Sequence, residues 1–123
     1  MAKKRILIVD DSLSVRQQVG LALTQSGYDV IEAEDGLEGA EKIEKDSSSL
    51  DMVISDINMP RMSGIEMMER VSGIVSKGLP IIVLTTEGQP ALIKRAKAAG
   101  AKGWIVKPFK AAQLVATVEK LTT

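Results

Sequence analysis

Short apolar runs separated by amphipathic segments recur along the whole chain. The five runs are too short, and mostly too rich in β-branched residues, to be helices, so they predict β-strands. We place these strands at residues 6–9, 30–31, 52–55, 81–84 and 104–106. The first run contains no polar residue, so we expect a strand that is covered on both faces, as in parallel sheets.

The segments between and after these runs predict five helices. Apolar residues recur there at helical spacing, as at Val15, Val19 and Leu23. Asp35 predicts the cap of the second helix, and Gly73 weakens the third. The other helical stripes lie at residues 37–43, 65–75, 88–99 and 111–121, with loops expected at residues 47–49 and 58–64.

Strands that alternate with helices in this way predict an α/β fold, in which helices cover both faces of a doubly wound parallel sheet. Parallel neighbours in such a sheet are joined by right-handed crossovers. The chain of 123 residues has the length of one domain. We therefore expect residues 1–123 to form a single domain, with nothing left over for a second one.

Four of the predicted strands are followed by a charged or hydroxyl side chain. Asp10 and Asp11 follow the first strand and Asp56 the third, whereas Thr85 and Lys107 follow the fourth and fifth. Each residue alone is ordinary, because an aspartate at a strand-to-helix turn usually caps the helix. The carboxyl ends of parallel strands meet at one edge of the sheet, however, so we expect these side chains to converge in one crevice.

Three carboxylates in one crevice require a cation. Two like charges about 4 Å apart repel by about 4 kcal/mol at an effective dielectric constant near 20. The chain has no His and no Cys, which favours a metal that prefers oxygen ligands, Mg²⁺ or Mn²⁺. We hypothesise that Asp11 and Asp56 ligate the metal, with Asp10 nearby or acting through water. Asp56, beside the metal, Lys107 and Thr85, is the candidate nucleophile toward phosphorus.

Composition and charge narrow the classes of partner. Apolar residues make up 45% of the chain, yet no stretch approaches the roughly 20 residues that span a bilayer, so we expect a cytoplasmic protein without a membrane partner. Residues 32–69 carry eleven acids and three bases, whereas residues 89–123 carry seven bases and one acid. With a net charge of zero, this balance argues against nucleic-acid binding and leaves an acidic protein partner open for the C-terminal third.

Four motifs together resemble the receiver domain of two-component response regulators. They are Val9-Asp10-Asp11-Ser12 with Arg16, then residues 55–60 with Met62 and Gly64, then Leu84-Thr85, and finally Lys107-Pro108-Phe109. The resemblance covers nearly the whole chain, with the motifs in the family's order and spacing. It implies a flavodoxin-like fold with strand order 2-1-3-4-5, and a receiver without an output domain.

The resemblance also implies roles for individual residues. Asp56 accepts a phosphoryl group from the phosphohistidine of a sensor histidine kinase, in the presence of Mg²⁺. The metal is held by Asp10, Asp11, Asp56 and the main-chain carbonyl of Asn58. Thr85 follows the phosphoryl group, and Lys107 is its counter-ion and precedes a cis peptide bond to Pro108.

Two pairs of positions are implied to regulate the phosphorylated state. Asn58 and Glu87 occupy the places that influence how fast the acyl phosphate hydrolyses. Thr85 and Trp104 occupy the switch positions, although the family more often has Tyr or Phe where this chain has Trp104. Packing on an edge strand is an equally good account of the indole.

The function implied is that of a phosphorylation-driven switch rather than an enzyme with a separate substrate. Among single-domain members, chemotaxis regulators that bind a flagellar motor switch protein fit best, and a phosphorelay shuttle or phosphate sink with a non-motor target is the alternative. We expect a monomer that meets its kinase, its target and possible phosphatases, with the target bound by the fourth helix, fifth strand and fifth helix. Lysines make that face basic, namely Lys94, Lys97, Lys102 and Lys110.

Two other classes fit less well. An aspartyl-phosphate phosphohydrolase would need an aspartate as general acid two residues after the nucleophile, where this chain has Asn58. An FMN-binding flavodoxin-like carrier would need a hydroxyl-rich phosphate loop after the first strand, where Asp10 and Asp11 would repel the phosphate. The chain also has only three aromatic residues with which to enclose a flavin, Tyr28, Trp104 and Phe109.

Overall fold

A single five-stranded parallel sheet forms the centre of the computed structural model, which describes residues 3–123. The order β2-β1-β3-β4-β5 confirms the predicted doubly wound, flavodoxin-like topology. Met1 and Ala2, which belong to the predicted domain, lie outside the described residues. The strands are β1 (Arg5–Val9), β2 (Asp29–Ala33), β3 (Met52–Ser55), β4 (Ile81–Thr85) and β5 (Gly103–Val106).

Six α-helices surround the sheet in the described part of the chain, one more than the five predicted. They are α1 (Leu13–Gln25), α2 (Gly36–Asp46), α3 (Gly64–Arg70), α4 (Ser72–Val75), α5 (Pro90–Ala98) and α6 (Ala111–Thr122). None of them is both long and apolar enough to cross a bilayer.

The additional helix arises because the predicted third helix is broken. At Val71 the backbone adopts φ −100° and ψ 20°, which ends α3 before the short α4 begins. Gly73 lies just beyond this point, and glycine favours the helical conformation by about 1 kcal/mol less than alanine does. A second difference is that residues 47–49, expected as loop, form one turn of 3₁₀-helix.

Polar side chains cap the N-termini of the helices that follow the first three strands. Ser12 caps α1 and Asp35 caps α2, the latter as predicted. Ser63 caps α3 in a reciprocal arrangement, in which Glu66 in turn accepts the N–H of Ser63. The loops after β1, β2 and β3 therefore each lead into a helix whose start is fixed by a side-chain cap.

Aliphatic side chains fill both faces of the sheet, as expected for parallel strands. Leu7, Val9 and Val53 point to the face covered by α2, α3 and α5, whereas Ile6 and Ile54 point to the face covered by α1 and α6. Fully burying a side chain of this size is worth about 1.5–3 kcal/mol. The two core layers fix the strands, and so they also fix the positions at which the strands end.

Candidate functional site

Asp10 and Asp56 emerge side by side because their strands are neighbours. Val9 pairs with Ser55 at the ends of β1 and β3, and the next residue in each strand is an aspartate. The N–H of Asp56 donates to the Val9 carbonyl at 3.0 Å, which extends the pairing by one residue. One carboxylate oxygen from each of Asp10, Asp11 and Asp56 lies within 4.8 Å of the others.

The three carboxylates differ in exposure and in hydrogen bonding. Asp10 is buried, with only 2% of its surface exposed, whereas Asp56 is half-buried and Asp11 is exposed. The Ser12 N–H donates to Oδ1 of Asp10 at 2.9 Å, and the Ile57 N–H donates to Oδ1 of Asp56 at 2.6 Å. The backbone thus holds two of the carboxylates in fixed orientations and leaves Asp11 facing solvent.

Lys107 links the two less exposed carboxylates. Its Nζ donates to Oδ2 of Asp10 at 2.8 Å and to Oδ2 of Asp56 at 2.9 Å. The backbone of Lys107 continues the β4–β5 pairing, since its N–H donates to the Thr85 carbonyl at 2.8 Å. The peptide bond to Pro108 is cis, as the resemblance implies. The end of β5 therefore brings an ammonium group to the ends of β1 and β3.

The pKa values of this cluster show the cost of burying charge. Burial raises the pKa of Asp10, because it outweighs the hydrogen bonds from Lys107 and Ser12 that favour the charged carboxylate. Burial alone would lower the pKa of Lys107, but hydrogen bonds to Asp10 and Asp56 outweigh it and raise this pKa. Lys107 thus stays charged, while the site keeps an excess of negative charge that favours binding of a further cation.

The end of β4 contributes a second group of contacts, centred on Glu87. The Thr85 hydroxyl accepts the Glu87 N–H at 3.2 Å, and the Glu87 carbonyl accepts the Trp104 indole N–H at 3.1 Å. The Asn58 side-chain amide donates to Oε1 of Glu87 at 2.6 Å. Four of the predicted residues are thereby joined in one network, which the sequence did not reveal because Asn58 and Glu87 lie in loops.

Comparison with known proteins identifies the family. A family model for the response regulator receiver domain matches residues 6–119. The chain belongs to the response regulator receiver family. It is 39% identical to the chemotaxis protein CheY of Treponema pallidum, over 97% of this chain and 85% of that protein. Receivers of this kind are switch proteins rather than enzymes with a separate substrate.

Solved structures agree with this assignment. The receiver superposes on the Vibrio cholerae chemotaxis protein CheY4 with a TM-score of 0.86 and 42% identity, covering 98% of this chain and 99% of that one. A chain of the Borrelia burgdorferi CheX–CheY–BeF₃–Mg²⁺ complex gives a TM-score of 0.90 and 31% identity, covering 98% and 90% of the two chains.

The donor set of this receiver fits the predicted metal. Oxygen atoms of Asp10, Asp11 and Asp56 are close enough to share one ion, and carboxylate oxygens are the ligands that Mg²⁺ prefers. Mg²⁺ keeps several waters and usually takes only one or two protein carboxylates, which suits a site with one exposed aspartate. The role of the Asn58 carbonyl as a further ligand stays a prediction.

Sequence reasoning missed one arginine that contacts the site and a second arginine that contacts the cap of α2. Arg16, noted only as part of a motif, is buried and donates to the main-chain carbonyl of Asp10. Its position could have been a signal, since Arg16, Val19 and Leu23 share the buried stripe of α1. Arg61 has a positive φ of 65° and donates to Asp35 at 2.8 Å, a contact with no signal in the sequence.

Proposed function

We propose that this receiver accepts a phosphoryl group on Asp56 from the phosphohistidine of a sensor histidine kinase, in a reaction that depends on Mg²⁺. The observation that carries the proposal is the cluster at the sheet edge. Asp10, Asp11 and Asp56 can share one ion, and Lys107 bridges Asp10 and Asp56. The match to the receiver family supports the same reaction.

The reaction asks the protein mainly for positioning and for neutralisation of charge. An Asp56 carboxylate oxygen attacks phosphorus while the P–N bond to the donor imidazole breaks. The electron pair of that bond stays on the imidazole nitrogen, and a proton on the other ring nitrogen lets the imidazole leave as a neutral ring. Asp10, Asp11, Asp56 and the Asn58 carbonyl would hold Mg²⁺, which would supply positive charge to the phosphoryl oxygens. Lys107 supplies a further positive charge.

The conformational response is proposed to begin at Thr85. Its hydroxyl accepts from the Glu87 N–H, which leaves the hydroxyl proton to donate to a phosphoryl oxygen on Asp56. A shift of Thr85 toward that oxygen pulls on Glu87, which holds the Trp104 indole through its main-chain carbonyl. The signal thus passes from the site to β5, as a shift between two populated states.

The proposed readout face consists of α5, β5 and α6, which correspond to the predicted fourth helix, fifth strand and fifth helix. Four exposed lysines give this face its charge, Lys94, Lys97, Lys102 and Lys110. Such a face suits an acidic protein partner. Because the most similar relatives include chemotaxis proteins, a flagellar motor switch protein is the target we propose.

The proposal is tested by incubating the protein with Mg²⁺ and acetyl phosphate, a small phosphodonor, and following its intact mass. We expect a phosphoryl adduct that is absent without Mg²⁺ and absent in Asp56→Asn. The matched control is Asp29→Asn, which changes an exposed aspartate at the start of β2 and should leave the adduct unchanged. An adduct that persists in Asp56→Asn would exclude Asp56 as the acceptor.

A second experiment tests the target. Wild-type protein treated with beryllofluoride, a phosphoryl mimic, should bind motor switch peptides more tightly than untreated protein. Retained phosphorylation without such binding would support a phosphorelay shuttle or a phosphate sink with a non-motor target.

A further inference from the structure

Arg16 is a charged side chain on a helix face that is otherwise apolar. It is the only charged residue of α1, and it shares the buried stripe of that helix with Val19 and Leu23. Only 8% of its side chain is exposed. Burying a guanidinium is costly unless its donors are satisfied, so the contacts of this side chain indicate why it is there.

The guanidinium of Arg16 joins three elements. Its Nη1 donates to the main-chain carbonyl of Asp10 at 2.7 Å, just beyond the end of β1. Its Nε donates to Oε1 of Glu32 on β2 at 2.9 Å, and its Nη2 lies 4.0 Å from Oε1 of Glu34. The side chain therefore ties α1 and β2 to the backbone of a residue in the metal site.

Through this contact, every polar group of Asp10 has a partner. Its N–H donates to the Ala33 carbonyl, its carbonyl accepts from Arg16, and its carboxylate accepts from the Ser12 N–H and from Lys107. Without Arg16, the Asp10 carbonyl would lose its charge-assisted hydrogen bond, and the peptide unit that joins Asp10 to Asp11 could rotate. Both carboxylates of the acidic pair are attached to that unit.

We propose that Arg16, oriented by Glu32, is a positioning residue for the metal-binding oxygens of Asp10 and Asp11. The inference rests on the proposed function, because it assigns Arg16 to the same Mg²⁺ site. Arg16 touches neither the metal-binding oxygens nor the proposed phosphoacceptor. It acts by fixing the backbone from which the ligands extend, as groups behind metal ligands commonly do.

The planar guanidinium suits this role better than an ammonium would. Two of its donors point in fixed directions, one to the Asp10 carbonyl and one to Glu32. A lysine at position 16 would keep the positive charge but would not hold both acceptors in the same fixed geometry. Arg16→Lys is therefore expected to restore little of the function that Arg16→Met removes.

The test is Mg²⁺ affinity, measured by calorimetry at a temperature at which every variant is folded. We expect Arg16→Met to weaken Mg²⁺ binding about 10- to 100-fold, and Arg16→Lys to weaken it by nearly as much. The matched control is Arg70→Met, which removes another arginine–glutamate pair, the one with Glu44, from α3. That variant should bind Mg²⁺ as the wild type does, even if it unfolds at a lower temperature.

A second readout separates positioning from a merely structural role. Amide NMR signals of Asp11 and Ser12 should move in Mg²⁺-free Arg16→Met, while signals from the opposite end of the sheet stay in place. Should Arg16→Met fail to fold, Glu32→Gln serves instead, because about half of the Glu32 side chain is exposed. Glu32→Gln should weaken Mg²⁺ binding in the same direction.

The outcomes distinguish this inference from the proposed function. If the wild type binds no Mg²⁺ at millimolar concentrations, both are overturned. If the wild type binds Mg²⁺ and is phosphorylated, but Arg16→Met or Glu32→Gln binds it equally well, only the positioning role is overturned. Weaker binding in the Arg16 variants together with unchanged binding in Arg70→Met supports the positioning role.

Discussion

The side-chain amide of Asn58 donates a hydrogen bond of 2.6 Å to the carboxylate of Glu87. This contact joins the loop after β3, which carries the proposed phosphoacceptor, to the loop after β4, which begins just beyond Thr85. Both residues were expected to influence how fast the acyl phosphate hydrolyses, but as separate positions. The hydrogen bond joins the two side chains in one unit.

We therefore expect Asn58→Ala and Glu87→Ala to act on dephosphorylation through the same interaction. Each single variant should change the rate constant for loss of the phosphoryl group, and the double variant should change it no further than the larger single effect. Residues in contact typically show coupling of about 0.5–3 kcal/mol in such cycles. The measurement is the decay of phosphoprotein in the Asn58→Ala, Glu87→Ala and double variants. Changes that simply multiply would contradict a shared unit.

The ion pair between Asp35 and Arg61 predicts a pH-dependent contribution to stability. The hydrogen bond from Arg61 lowers the pKa of Asp35 below its ordinary value of 3.8. A carboxyl group with a lowered pKa stabilises the fold above its ordinary pKa, and this contribution is lost as pH falls through the lowered value.

Asp35→Asn tests this contribution, because the amide oxygen can still accept the Glu38 N–H and so preserve the cap of α2. We expect a lower urea midpoint than wild type at pH 7 and a difference that shrinks below pH 3.8. Asp29→Asn, at an exposed position, controls for the general loss of a negative charge. A difference that stays constant with pH would show that the charge of Asp35 does not stabilise the fold.

Much of the site could be predicted from the sequence because it depends on strand ends. Asp10, Asp56 and Lys107 directly follow parallel strands of one sheet, so the topology alone brings them together. The sequence could not predict the contacts of Glu87, because they depend on the path of two loops. The sequence also did not predict the break at Val71. The low helix propensity of Gly73 is a modest effect, and the helical pattern does not reveal the packing around the break.

Replacing Gly64, the first residue of α3, or Gly73 in α4 by alanine should have opposite effects on stability. A Cβ atom at Gly64 would lie 2.0 Å from the main-chain oxygen of Asp56, whereas a Cβ atom at Gly73 would meet nothing within 4 Å. We expect Gly64→Ala to destabilise the protein by several kcal/mol or to displace the Asp56 loop. Gly73→Ala should be neutral or stabilising by about 0.4–1 kcal/mol. Urea unfolding of both variants checks the pair, and equal effects would contradict the close approach at Gly64.

We expect the stability of the protein to depend more strongly on Mg²⁺ when Lys107 is replaced. In the wild type, Lys107 partly neutralises Asp10 and Asp56 from 2.8 and 2.9 Å. Lys107→Met leaves these carboxylates to repel each other, and a bound divalent cation would then relieve more repulsion than it does in the wild type. Since a ligand that binds only the folded state raises the unfolding temperature, Mg²⁺ should raise Tm more in Lys107→Met than in wild type.

The control for this last experiment is Lys102→Met, which removes an exposed lysine just before β5 and leaves the carboxylates untouched. Its Tm should respond to Mg²⁺ as that of the wild type does. Lys107 has two proposed roles, to neutralise the carboxylates and to act as counter-ion for the phosphoryl group. A phosphorylation assay separates them, because Lys107→Met should still bind the metal but lacks the counter-ion. A smaller Mg²⁺-induced rise in Tm in Lys107→Met than in wild type would mean that the ammonium organises the carboxylates for the metal rather than competing with it.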